Sequence, residues 1–158
     1  MNRRNFFPGE YFRLMSRELV PTYSFKSYRA GYDNWRKELM EKLREKLGKW
    51  PDRVDSNVEV VWRGEEDGII KEKIIFDSEK HISVPAYIFT PVNALSDHST
   101  PAVFCSHGHG TGGKGSVMGF GVRPDLRAEI EKHNYSYGLQ LAKAGFITMS
   151  IDWRAFGE

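Results

Sequence analysis

The stretch PAVFCSHGHGTGG, residues 101–113, joins a short apolar run to a dense group of glycines. An apolar run bounded by Pro101 and Gly108 predicts a buried strand followed by a loop. Glycines directly after a strand let the backbone turn sharply and leave its N–H groups accessible. Such N–H groups can bind an oxyanion or a phosphate, so this loop is the first candidate for a functional site.

The sequence after the loop predicts the rest of a βαβ unit. Residues 111–124 contain five glycines and a proline, and we expect them to be irregular. A helix is predicted over residues 125–144, with a break near Asn134, which would cap its second half. The apolar run FITMSI, residues 146–151, predicts a second buried strand. Strand, loop, helix and strand in this order imply a parallel pair with a right-handed crossover.

Three strands are predicted between residues 57 and 90, separated by the turn-forming stretches EEDG (65–68) and SEKH (78–81). Short turns between consecutive strands favour an antiparallel meander. Pro85 in the third strand indicates an edge or a bulge, because proline cannot donate to a ladder. The predicted fold class is α/β: an antiparallel meander that leads into a βαβ unit of a mixed sheet.

The first 56 residues are predicted to form an N-terminal arm and an amphipathic helix, and residues 57–158 the α/β domain. A short helix is expected over residues 9–19 and a longer one over 33–48. Asp33 would cap the longer helix and Gly48 would end it. We expect its apolar face to be core, with side chains recurring at helical spacing: Trp35, Leu39, Leu43 and Leu47.

The composition is that of a globular protein, with 40% hydrophobic and 13% aromatic residues. The net charge is +2 and the positive residues are scattered, which gives no argument for a nucleic-acid partner. No apolar run approaches the roughly 20 residues of a membrane span. A single cysteine excludes an internal disulfide framework and fits a reducing compartment, so we expect a cytoplasmic protein.

Two glycine patterns leave nucleotide binding open as an alternative function. Gly108–Gly113 matches the dinucleotide pattern G-x-G-x-x-G, and Gly108–Lys114 nearly matches the phosphate-loop pattern. Both functions need a helix to open at the loop. The glycines after Lys114, together with Pro124, predict that the helix begins later.

Two further interpretations concern catalysis. Cys105, His107 and His109 alternate at the strand end and could face one way to bind zinc, as in a metal-dependent hydrolase, although no fourth ligand is visible. Alternatively, a strand that ends in His-Gly-x-Gly supplies backbone N–H donors for the tetrahedral intermediate of acyl transfer. In that case the His107 ring would bond to the backbone and shape the turn.

Three pieces of the chain resemble the α/β-hydrolase superfamily in order and spacing: VPAYIFTPVN (84–93), PAVFCSHGHGTGG (101–113) and YGLQLAKAGFITMSIDWRAFGE (137–158). More narrowly, residues 58–158 are similar to the branch that holds dienelactone-hydrolase-like and acetyl-xylan-esterase-like proteins. The resemblance implies a serine hydrolase that cleaves carboxylic esters, acetyl esters included. Its substrate would be a small-molecule ester, and it would need no cofactor and no metal.

The resemblance also implies roles for single residues of the loop. His109 would be the upstream oxyanion donor through its backbone N–H, with Gly108 and Gly110 shaping the turn. His107 would be structural and not the catalytic base.

The last seven residues match the family's Asp-x-Arg-x-x-Gly turn through Asp152, Arg154 and Gly157. In the family this turn is structural and lies near the pocket rim. Trp153 would line the pocket.

In such hydrolases the oxyanion loop precedes a G-x-S-x-G nucleophile, then an acid, then a histidine. This sequence contains no G-x-S-x-G. We therefore expect an N-terminal fragment of a longer enzyme, inactive alone, with nucleophile, acid and base beyond Glu158. In the family the strand at 101–106 neighbours the strand that carries the nucleophile, so it should have an open edge. A non-catalytic remnant is the remaining alternative.

Overall fold

The computed structural model describes Arg4 and residues 6–96 and 99–158. The chain forms two compact units, Met1–Trp50 and Pro51–Glu158. Within the described ranges no helix is both long and apolar enough to cross a membrane.

The first unit consists of α1 (Pro8–Glu18), a 3-10 turn (Phe25–Ser27) and α2 (Tyr32–Leu47). Gly48, with a φ of 79°, ends α2 as predicted. The prediction that Asp33 caps α2 is wrong, because the helix begins one residue earlier with Gly31 as its N-cap. Asp33 instead lies in the first turn, where a negative charge suits the helix dipole.

The prediction that the apolar face of α2 is core is also wrong, since no residue of α2 is buried. Leu43 is 45% exposed and Leu47 67% exposed. Among the described residues of the first unit, α1 and one 3-10 turn are the elements that accompany this helix, too little apolar surface to bury a four-turn stripe. Trp35 does contact other residues of the unit: its ring packs 5.0 Å from that of Phe25, and its Nε1–H donates to the Tyr23 carbonyl at 2.8 Å.

The second unit is a five-stranded mixed sheet with three helices. Its strands are β1 (Glu59–Glu66), β2 (Ile69–Glu79), β3 (Ile82–Pro91), β4 (Ala102–Phe104) and β5 (Ile147–Ile151). Its helices are α3 (Gly113–Val117), α4 (Pro124–His133) and α5 (Tyr137–Lys143), and a 3-10 turn, Val92–Leu95, follows β3.

The sheet order is β1-β2-β3-β5-β4, which confirms the predicted mixed sheet. β1, β2, β3 and β5 pair antiparallel in turn, and β4 pairs parallel with β5. Asp67 and Gly68, with φ of 54° and 71°, form the tight turn between β1 and β2. Pro85 pairs with Ile75 of β2, whereas the pairing of β3 with β5 begins at Ala86, so Pro85 lies where β3 is still at an edge.

The structure corrects three predictions around the glycine loop. β4 is not a buried strand: it lies at the sheet edge and Phe104 is 50% exposed. Residues 111–124 are not wholly irregular, because α3 begins at Gly113. The predicted break near Asn134 is confirmed, since the segment forms the two helices α4 and α5, but Asn134, with a φ of 50°, caps the C-terminus of α4 and not the start of α5.

The core of this unit lies between the sheet and its helices. Phe89 of β3 and Cys105 after β4 are almost fully buried there against α3 and α5. Gly138 lets α5 approach α3, because a Cβ at this position would lie 2.6 Å from Met118 Sδ. The close packing expected for a glycine inside this helix is therefore present.

Candidate active site

The glycine loop leaves the carboxyl end of β4, next to the carboxyl end of its parallel neighbour β5. The Cys105 N–H extends the ladder by donating to the Met149 carbonyl at 2.7 Å. In open α/β sheets ligands bind beyond the carboxyl ends of the parallel strands. Residues 105–113 and the turn at 152–158 meet at this end.

His107 joins the loop to the turn through both nitrogens of its ring. Its Nε2 accepts a hydrogen bond from the Trp153 N–H at 3.0 Å, and Nδ1 lies 2.8 Å from the Gly108 carbonyl oxygen. A carbonyl can only accept, so Nδ1 carries the proton in this arrangement. The residue is 6% exposed. A ring that is buried and engaged at both nitrogens shapes the loop and has no lone pair left for general-base catalysis.

Asp152, the first residue after β5, accepts three hydrogen bonds. Its Oδ2 lies 2.5 Å from the Lys114 ammonium, and Oδ1 accepts the Lys114 backbone N–H at 2.9 Å. The Glu158 N–H adds a third bond at 3.2 Å. Burial alone raises the pKa of Asp152, but the hydrogen bonds from Lys114 and from the Glu158 backbone outweigh it and hold the pKa below its usual range.

Two glycines leave room for the Asp152 carboxylate. Gly113 has a φ of 49° and Gly157 a φ of 65°, a region that favours glycine. A Cβ on Gly113 would lie 2.4 Å from Asp152 Oδ1, and one on Gly157 would lie 2.0 Å from Oδ2. The glycine of the Asp-x-Arg-x-x-Gly pattern is therefore explained by the approach of its own aspartate.

His109, the predicted oxyanion donor, is exposed at the tip of the loop. Its ring packs edge-on against Phe156 at 5.8 Å, and the His107 ring packs against the same phenylalanine at 5.3 Å. Within residues 6–96 and 99–158, nothing accepts a hydrogen bond from the His109 backbone N–H. The neighbouring Gly108 N–H, by contrast, donates to the Tyr135 hydroxyl at 3.0 Å. Gly110 shapes the end of the loop, where its carbonyl accepts the Gly113 N–H at 3.4 Å.

Trp153 and Arg154 lie on the outer side of the turn. Trp153 is 45% exposed, and its Nε1–H donates to Ser106 Oγ at 2.9 Å. Arg154 forms an ion pair with Glu79 at the end of β2. Both residues fasten the turn to neighbouring elements.

Neither of two cavities in this unit is a substrate pocket at the loop. The cavity beside Gly110 and Tyr135 measures about 10 Å³, roughly the space of one water molecule. A pocket of about 500 Å³ lies near Gly68 and Gly145, before the start of β5 and at the opposite end from Asp152. Trp153 lines neither cavity.

The geometry gives no support to the metal or nucleotide alternatives. Cys105 and His107 are buried while His109 is exposed, and no three His, Cys, Asp or Glu side chains of the described residues gather as a ligand group. The Lys114 ammonium, which a phosphate loop would direct at its nucleotide, is 3% exposed and faces Asp152. The pairing also occupies Asp152, the acid that a dinucleotide site would have used for a ribose.

Sequence reasoning missed three residues of the site: Lys114, Tyr135 and Phe156. Lys114 was considered only as part of a phosphate-loop pattern. Tyr135 reaches Gly108 across 27 positions of the chain, and Phe156 packs against both histidine rings. No local pattern signals any of these contacts.

Fold and site together define the class of protein. A meander that leads into a parallel β4–β5 pair, with a glycine loop after β4 and an Asp-x-Arg-x-x-Gly turn after β5, is the amino-terminal part of an α/β-hydrolase fold. The chain belongs to the Abhydrolase family, which it matches over residues 9–158.

A solved structure of similar fold comes from Bacteroides fragilis, and its protein is assigned as an acetyl xylan esterase. The two share 23% sequence identity with a TM-score of 0.66. The similar region covers 94% of this chain and 38% of the other, so the chain spans well under half the length of that protein. A comparison with curated proteins finds no match.

Proposed function

We propose that this chain supplies the oxyanion loop of a hydrolase that cleaves carboxylic esters, with acetyl esters of small molecules as the first substrate class. The observation that carries the proposal is the backbone N–H of His109, which has no acceptor among the described residues, on a loop held by the hydrogen bonds of the His107 ring and of the Gly108 N–H. A donor fixed in advance stabilises the negative charge that develops on the carbonyl oxygen during acyl transfer. The acetyl ester is suggested by the assignment of the Bacteroides fragilis protein.

In the proposed reaction a serine attacks the ester carbonyl, and the electrons of the C=O bond move onto its oxygen. The His109 N–H donates to that oxygen, and a second N–H comes from the residue after the serine. Collapse of the intermediate releases the alcohol, and water then releases the acid. We place serine, acid and base outside these 158 residues.

The open side of β4 supports that placement. Among the strands that the structure describes, β4 pairs with β5 on one side and has no neighbour on the other. Phe104, the last residue of β4, is half-exposed. The resemblance puts the nucleophile-bearing strand on this side. The same edge would make the 158-residue chain prone to association on its own.

The test compares ester hydrolysis by the product of the complete reading frame with that of the 158-residue chain, using p-nitrophenyl acetate. We expect turnover from the first and none from the second. In the active protein, His109→Pro removes the N–H and should lower kcat by about 10²–10³, whereas His109→Ala keeps the N–H and should cost far less. Equal losses in two variants that melt like the wild type would refute the backbone role. Turnover by the 158-residue chain would refute the placement of the serine elsewhere.

A further inference from the structure

Two tyrosine hydroxyls hold the backbone on either side of His107. The Tyr137 hydroxyl donates to the Ser106 carbonyl, and the Gly108 N–H donates to the Tyr135 hydroxyl oxygen at 3.0 Å. Both tyrosines come from the joint between α4 and α5, one on each side of Ser136. The pair therefore couples the geometry of the loop to a helix junction that is distant in sequence.

Neither ring is free to move away. Tyr135 and Tyr137 pack edge-on with ring centroids 6.2 Å apart, and both pack against the core of the unit. Burial raises the pKa of the Tyr137 phenol, with smaller contributions from Cys105 and Tyr135, so its O–H remains a donor throughout the neutral range. Gly108 fits because it has no side chain: a Cβ there would lie 2.9 Å from the Tyr135 hydroxyl.

The Gly108 and His109 N–H groups are neighbours that differ in one respect. The first is bonded to Tyr135, and the second has no acceptor within the described part of the chain. Binding the first amide fixes the peptide plane that precedes the second.

We propose that Tyr135 is a positioning residue, which holds the Gly108 N–H and so fixes the backbone from which the His109 N–H donates to the oxyanion. The inference rests on the proposed function for its catalytic part. Its structural part, the holding of Gly108, does not.

Tyr135→Phe is the test, because it removes the acceptor and keeps the ring. Amide hydrogen exchange of Gly108 is measured by NMR, and kcat and KM for p-nitrophenyl acetate are measured on the active protein. We expect Gly108 exchange to rise about tenfold, as for the loss of one hydrogen bond. We expect kcat to fall by a similar factor with KM nearly unchanged, because the donor acts in the transition state.

Tyr28→Phe is the matched control, since it removes a hydroxyl that bonds to Glu38 in the other unit. It should leave the Gly108 exchange rate and kcat as they are. Should Tyr135→Phe fold poorly, Tyr137→Phe tests the partner contact and should also lower kcat while KM holds.

Unchanged Gly108 exchange, or an equal rise in KM with constant kcat, would overturn the inference. If the unaltered protein cleaves no ester, the proposed function is wrong, and the role of Tyr135 is then decided by the exchange of Gly108 alone.

Discussion

The Lys114 ammonium lies 2.5 Å from Asp152 Oδ2, and the two side chains are only 3% and 4% exposed. This buried ion pair joins the first turn of α3 to the end of β5. Breaking a buried pair by removing one partner leaves an uncompensated charge in the interior. We expect Lys114→Met to destabilise the second unit by about 3–5 kcal/mol, measured by urea unfolding.

The matched control is Lys143→Met in the same unit. Lys143 pairs with Asp67 at 3.3 Å, but both side chains are more than half exposed. Exposed pairs contribute about 0–1 kcal/mol, so this variant should unfold almost like the wild type. Similar losses of unfolding free energy in the two variants would mean that burial does not increase the contribution of the Lys114–Asp152 pair to stability.

The lowered pKa of Asp152 predicts a specific response to acid. A depressed pKa in the folded state contributes stability that is present above the unfolded value of about 4 and is lost as the pH falls through the folded value. The Asp152→Asn variant has no group at this position that titrates. At neutral pH it should be much less stable than the wild type, and the difference in melting temperature should shrink below about pH 4. Melting curves from pH 7 to pH 2 that run parallel for the two proteins would contradict this.

Much of the fold could be predicted because its signals are local. Asp67 and Gly68 form a tight turn that their types favour, and Gly48 ends a helix by its positive φ. Burial was predicted less well, since it depends on neighbours that a single segment does not reveal. The apolar run 102–104, for example, forms a strand with one neighbour among the described strands, and its Phe104 remains half-exposed.

The candidate site could likewise be predicted only in part. The bonding of the His107 ring to the backbone was expected from the interpretation of His-Gly-x-Gly as an oxyanion loop. The lysine that neutralises Asp152 lies 38 positions away, and its glycine-rich surroundings resemble a phosphate loop. Only the three-dimensional arrangement distinguishes a lysine that binds an anion from one that pairs with a buried carboxylate.

Gly113→Ala should be markedly more destabilising than Gly145→Ala. Both glycines have a positive φ, of 49° and 100°, so both substitutions carry a conformational cost on the order of 1–2 kcal/mol. Only at Gly113 would the new methyl group meet a neighbour, the Asp152 carboxylate at 2.4 Å, whereas Gly145 has nothing within 4 Å. Urea unfolding measures both. Equal losses would show that the carboxylate can move aside without cost.

Gly138→Ala should reverse the usual effect of this substitution in a helix. Alanine is normally favoured over glycine by about 1 kcal/mol in a helix interior. At Gly138 the added Cβ would lie 2.6 Å from Met118 Sδ and 3.0 Å from the Val117 carbonyl oxygen, and the latter belongs to the backbone of α3 and cannot rotate away. We therefore expect a loss of about 1–3 kcal/mol in urea unfolding, the cost typical of overpacking. Gly115→Ala is the control within α3, because its nearest neighbour would lie at an ordinary 3.8 Å, and it should be neutral or stabilising. If Gly138→Ala were stabilised like the control, α5 could shift away from α3, and the close contact would not constrain the helix that carries Tyr137.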